Sequence, residues 1–124
     1  NKNNTIIFHN SSNNRKIKIL KRKGITLIKF KVDNKKLFNL KTILKKLFVL
    51  GVRNLLVEGG DKITKNLIQN RLIDKFYLFK SPKNLLISKE HMKFTSFNTL
   101  NTKYKIKTRI SPKLAKDNIT IYKR

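Results

Sequence analysis

In a chain of 124 residues with no cysteine and only two histidines, the residues best suited to chemistry are Glu58 and the pair after it, Gly59 and Gly60. Glu58 closes a short apolar run at residues 55–57 (LLV), and Ile63, Leu67, Ile68 and Leu72 then recur at three- and four-residue steps. That change of period predicts a strand giving way to a helix at the glycines. After Asp74 a second apolar run, 76–79, ends at Ser81 and Pro82. Strand, glycine turn, helix and strand make one βαβ unit, which favours a parallel pair with a right-handed crossover. Glycines at such a turn let a ligand approach the backbone closely. The first helical turn offers unpaired N–H groups and the positive end of the helix dipole, which suit a phosphate or pyrophosphate. Glu58 falls at the carboxyl end of its expected strand, where open α/β sheets place their ligand crevices. A bare Gly-Gly is neither the full dinucleotide fingerprint nor a P-loop, and a plain tight turn uses the same residues.

The length allows one domain with a real core and hardly two. No apolar run reaches 18 residues and no signal peptide is recognisable, so no membrane span is expected and a cytoplasmic location is. Without cysteine there are no disulfides or thiolate metal sites, and His9 and His91 are too isolated to argue for zinc. The net charge of +25 points by rule to nucleic acid or another anionic surface. Its distribution argues otherwise. The 25 lysines and 6 arginines are spread along the chain, with no arginine block and no aromatic-studded basic motif. A drift toward A/T-rich codons produces such a lysine surface without any partner, so no dedicated nucleic-acid role is expected.

The elements that must position Glu58 and the glycines follow from the same patterning. Residues 5–8 (TIIF) read as a buried strand. A polar loop follows at 9–16 (HNSSNNRK), whose hydroxyls, amides and Arg15 could equally receive an anion or form a plain surface turn. Residues 16–20 (KIKIL) alternate like a short strand, Gly24 makes a turn, and 25–32 (ITLIKFKV) form another strand. Leu37, Leu40, Leu44, Leu47 and Phe48 define an amphipathic helix over 37–50, stopped by Gly51. With the run at 55–57 this makes a second strand–helix–strand unit leading into Glu58. Residues 83–102 read as loop-rich, with a helical turn at 88–93. Residues 103–110 (KYKIKTRI) and 119–122 (ITIY) form a closing antiparallel hairpin around a turn at 111–118.

The stretch VEGG, followed by a helix and then LIDKFYLFKSP, resembles the C-terminal reductase domain of the bifunctional riboflavin-biosynthesis deaminase/reductase. The match is specific over residues 54–82 and weak elsewhere. Lys75 and Ser81 stand where that family usually has Glu and Ala, and no glycine follows Pro82 in the expected turn. The resemblance implies an α/β fold: a dihydrofolate-reductase-like three-layer sandwich, mostly parallel, with an antiparallel C-terminal edge hairpin. It also implies NADPH as cofactor, a homodimer, and reduction of the ribosyl group of 5-amino-6-(5-phosphoribosylamino)uracil, a phosphoribosylamino-pyrimidine.

Residue by residue, Glu58 matches the family's substrate-contacting acid. Gly59, Gly60, Asp61, Lys62, Ile63 and Thr64 match the segment that wraps the NADPH pyrophosphate, and His9 or Asn10 matches a dinucleotide contact after the first strand. Asp61 is awkward beside a phosphate, and its expected task is capping the helix, with Lys62 or Lys65 offsetting its charge. The chain opens on Asn1 already close to a strand, and no match to the family's substrate-phosphate ligands precedes Thr5. The expectation is a single domain, the C-terminal portion of a reductase domain whose first strands, with a zinc deaminase domain, lie upstream. The alternatives are another dihydrofolate-reductase-like NADPH reductase, or a basic nucleic-acid module without catalysis.

Overall fold

The computed structural model describes residues 4–82, 94–110 and 117–124, which form two compact units, Asn1–Leu55 and Leu56–Arg124. The first unit is built on a parallel pair, β1 (Ile6–His9) and β2 (Thr26–Lys29), with Ile6 opposite Thr26 and His9 opposite Lys29. Parallel neighbours need a crossover, and α1 (Asn14–Arg22) supplies it. The alternation expected to make a strand at 16–20 is therefore helical. Five residues are too few to separate the two periods, and Asn13 decides the matter: its side chain caps the helix by accepting from the Lys16 amide at 3.0 Å. Ile17 and Leu20, one helical turn apart, are half-buried, while Ile19 is exposed.

Beyond β2, Val32 and Phe38 form an isolated antiparallel bridge around a turn in which Asp33 Oδ1 accepts from the amides of Lys35 and Leu37. α2 (Leu40–Val49) begins there, capped by Asn39, which accepts from the Thr42 amide at 3.1 Å. Its half-buried face is Leu40, Ile43, Leu44 and Leu47. Leu37 and Phe48, expected on that face, are exposed, and Phe48 instead lies under the Arg53 guanidinium at 4.2 Å.

In the second unit α3 (Asp61–Gln69) precedes β3 (Lys75–Lys80), α4 (Phe97–Lys103), β4 (Ile106–Ile110) and β5 (Asn118–Lys123). The strands form one antiparallel sheet in the order β3-β5-β4, with Phe76 opposite Tyr122 and Lys107 opposite Tyr122 on its other side. The closing hairpin is as expected, with β4 at the edge and β5 in the centre. Ile68, Leu100, Tyr104 and Tyr122 form the buried core, with Ile73, Phe76 and Leu78 packed against it. α4 replaces the irregular segment expected before residue 102, because Leu100 and Tyr104 bury themselves at a four-residue spacing. The expected helical turn at 88–93, His91, and residues 111–116 of the turn expected at 111–118 lie outside the described residues, and Asn118 already belongs to β5.

Two expectations fail locally. Residues 55–57 form no strand among the described residues: Leu56 is 82% exposed, and the boundary between the units runs between Leu55 and Leu56. β3 pairs antiparallel with β5 and not parallel with that run. Apolar composition sets what a segment would bury, but a strand also needs a neighbour for its hydrogen-bond ladder, and none of the described strands offers one. Parallel pairing among the described residues is confined to β1 and β2. No helix among them is long and apolar enough to cross a membrane.

Three helices end alike. The amide of Ile25 reaches back to Leu20 O, that of Val52 to Leu47 O, and that of Leu72 to Leu67 O, each the six-residue closure of a Schellman motif. The motif needs a left-handed residue one position earlier. Gly24 (φ 74°) and Gly51 (φ 92°) meet that demand freely, but α3 uses Arg71 at φ 52°. A side chain in that region costs roughly 1–2 kcal/mol. Arg71→Gly should therefore raise stability by about 1 kcal/mol, measured by denaturant unfolding.

Candidate functional site

α3 begins at the glycine pair. Gly60 is its N-cap (φ −70°, ψ 173°), and the Gly60 carbonyl accepts from the amides of Ile63 and Thr64, both at 3.2 Å. Gly60 brings no side chain to cap with, and the amides of Asp61 and Lys62 have no acceptor within the helix. The first turn thus presents unpaired donors at the positive end of the dipole. Backbone conformation does not require glycine here. Neither Gly59 nor Gly60 has a positive φ. A Cβ added to Gly59 would meet Ile63 at 3.5 Å, an ordinary contact. Ile63, 46% exposed, flanks the pair, and the Thr64 hydroxyl makes a long 3.5 Å contact to Gly59 O.

Asp61 does not cap its own helix through a side-chain hydrogen bond. Its carboxylate turns to Thr95, accepting from the hydroxyl at 2.7 Å and from the amide at 3.0 Å. The Thr95 hydroxyl, then its amide, hold the Asp61 carboxyl below its usual range, with a smaller contribution from Lys65. The expected awkwardness of an acid beside a phosphate is thereby reduced, because the charge is spent on a partner 34 residues away. Sequence reasoning missed Thr95. No local spacing connects it to Asp61, and only the packing of α3 beside α4 does.

Glu58 is exposed, as are Lys62 and Asn10, and among the described residues the Glu58 carboxylate has no hydrogen-bond or ion-pair partner. His9 is the last residue of β1, where the loop was expected to begin. It is half-buried, and its Nδ1 is shielded from solvent with no hydrogen-bond partner among the described residues. Glu58, Gly59, Gly60, Asp61, Lys62, Ile63 and Thr64 are gathered at one helix start in the second unit, while His9 and Asn10 belong to the first. No group of three or more His, Cys, Asp or Glu among the described residues is placed to hold a metal.

Comparison with known proteins places the chain in a family. A model of the RibD C-terminal domain matches residues 1–107. The chain is 37% identical over 70 residues to the riboflavin biosynthesis protein RibD of Aquifex aeolicus (strain VF5), covering 56% of this chain and 18% of that protein. Among solved structures, it is similar to Acinetobacter baumannii RibD, form 2, with a TM-score of 0.66 over 95% of this chain and 30% of that one. At 18% identity that likeness speaks to the fold, the dihydrofolate-reductase-like α/β architecture. The chain spans less than a third of either protein.

A depressed carboxyl pKa adds stability above the unfolded value of 3.8 that is lost as pH falls through the folded value. Removing the Thr95 hydroxyl should shrink that window. Thr95→Val is expected to move the Asp61 titration up toward 3.8, read by carboxyl-carbon NMR, with the Thr95 amide bond holding back part of the shift.

Proposed function

The chain belongs to the family of RibD C-terminal domains, and from that premise we propose that it provides the cofactor-binding part of an NADPH-dependent reductase of riboflavin biosynthesis. The substrate in this reading is 5-amino-6-(5-phosphoribosylamino)uracil. NADPH, when bound, supplies a hydride to the open-chain ribosyl carbon, and a proton from solvent completes the ribitylamino product. The protein's part is to hold both molecules in register.

The observation that carries the reading is the start of α3. Two glycines stand where backbone conformation does not call for them, the first with room for a Cβ, in front of unpaired amides and beside an acid without a partner among the described residues. A position kept free of side chains without conformational need suits the close approach of a pyrophosphate. In this reading the amides of Asp61 and Lys62 bind that group, the Lys62 ammonium adds charge, and Ile63 and Thr64 wall the first turn. Thr95 holds the Asp61 carboxylate, so the acid does not oppose the phosphates. His9, with its Nδ1 shielded, and the exposed Asn10 at the end of β1 are carried as dinucleotide contacts by the family resemblance alone. Glu58 accepts hydrogen bonds from the ribosyl hydroxyls or the pyrimidine. The enzyme in this reading is a cytoplasmic homodimer.

Gly60→Val places a branched side chain in the pyrophosphate's path while keeping a backbone angle that valine adopts readily. It should weaken NADPH roughly a hundredfold or more, about 2.7 kcal/mol, with an unchanged circular dichroism spectrum. Retained cofactor affinity would refute the assignment. Gly59→Ala should cost no stability, since its Cβ has room, yet should also weaken NADPH. For Glu58→Gln the expected loss is in kcat/KM for the pyrimidine, with NADPH affinity held; equal losses in both would contradict its substrate role.

A further inference from the structure

The second unit has another concave surface, lined by none of residues 58–64. A cleft of about 370 Å³ lies between α4 and one face of the β3-β5-β4 sheet. The register explains its chemistry. Leu78, Thr120 and Arg109 form one row across the three strands, Lys80 sits opposite Asn118, and Lys107 sits opposite Tyr122. Strand alternation sends all of these to one face and leaves Tyr77, Phe79, Ile106 and Ile110 to the other. Lys80, Lys107 and Arg109 therefore line the same cleft, and no carboxylate among the described residues lines it.

The floor of the cleft is ordered. Tyr122 is 3% exposed and donates its hydroxyl to Asn101 Oδ1 on α4 at 3.3 Å. The Lys107 ammonium stands 5.6 Å over the Tyr122 ring. Lys107 and Arg109, two residues apart on one strand, are separated by only about 7 Å of backbone, and Lys80 faces them from the far side of β5, so the three cations repel one another. A lysine surface spread evenly by composition predicts no such convergence. It predicts still less an arginine, one of only six in the chain, beside Asn118 and Thr120.

We propose that this cleft binds a small polyphosphate anion, a ligand carrying two or more linked phosphoryl groups. Arg109 supplies a planar fork suited to a phosphoryl group. Lys80 and Lys107 approach from the two sides, and Asn118 and Thr120 add neutral hydrogen-bond donors. The volume falls within the range of about 300–1,000 Å³ found for small-molecule sites. The Tyr122 face is already covered by Lys107, so it offers no stacking platform for the bases of a single-stranded nucleic acid. This site is independent of the reductase reading, because none of its residues takes part in that reading.

The test is titration of the whole chain with inorganic tripolyphosphate, followed by calorimetry and by amide NMR. One-to-one binding is expected, with shifts centred on β3, β4 and β5. Lys80→Gln and Arg109→Gln should each weaken binding about tenfold or more, the loss of one charge-assisted contact. Lys41→Gln/Lys45→Gln on α2, which removes more charge, should change it less than about twofold. Arg109→Lys, which keeps the charge and loses the fork, should fall between Arg109→Gln and the unaltered chain, and with Lys80→Gln it carries the test should Arg109→Gln not fold. Equal weakening by the α2 variant, no effect of the cleft variants, or shifts centred on residues 58–64 would overturn the proposal. Displacement of tripolyphosphate by a single-stranded oligonucleotide at lower concentration would overturn it in favour of a nucleic-acid surface.

Discussion

The Asp61–Thr95 contact is the constraint on which the site depends. Two oxygens of one carboxylate accept from the hydroxyl and amide of one residue, at 2.7 and 3.0 Å, across 34 positions of sequence. That grip ties the start of α3 to the segment entering α4, and the two helices bury Ile68, Leu100 and Tyr104 behind it. It also disposes of a charge. An acid in the first turn stabilises the helix dipole but opposes an incoming phosphate, and the Thr95 hydroxyl keeps it ionised while occupying its oxygens. The amides that follow Gly60 are left unpaired within the helix, which is what a phosphate needs.

Charge is handled elsewhere with little help from acids. Against 31 lysines and arginines the chain sets only six aspartates and glutamates, so most cations must be solvated or placed against aromatic rings and carbonyls. Arg53 lies over Phe48 and donates to its carbonyl at 2.7 Å, Lys107 lies over Tyr122, and the Lys103 ammonium donates to the Gln69 carbonyl. These contacts use the long apolar stems of the side chains as well as their charge. In the cleft above β4 and β5, Lys80, Lys107 and Arg109 line one surface, and only Lys107 of the three lies over an aromatic ring.

Much of the fold was legible because it rests on short-range rules. The helices α2 and α3 followed from apolar spacing, Gly51 marked a helix end, and the alternation at Lys107 and Arg109 marked the strand they occupy. The errors came where two rules compete over few residues. KIKIL alternates like a strand, but Asn13 caps a helix there and the parallel β1–β2 pair needs a crossover. LLV reads as a buried strand, but a strand requires a ladder partner that apolar composition cannot supply. At the proposed site, Glu58, Gly59 and Gly60 were singled out by type and order, whereas the contact of Thr95 with Asp61 was not, since it depends on a distant helix.

By itself the sequence determined the glycine-opened helix and the strands of the closing hairpin, because each follows from short-range spacing, and the stretches VEGG and LIDKFYLFKSP carried the resemblance to the family. Tertiary structure alone decided that Asp61 serves Thr95, that β5 lies at the centre of its sheet, and that three cations share one cleft. Those outcomes depend on which segments meet in space, and the energy of such meetings belongs to pairs of residues that no local pattern connects.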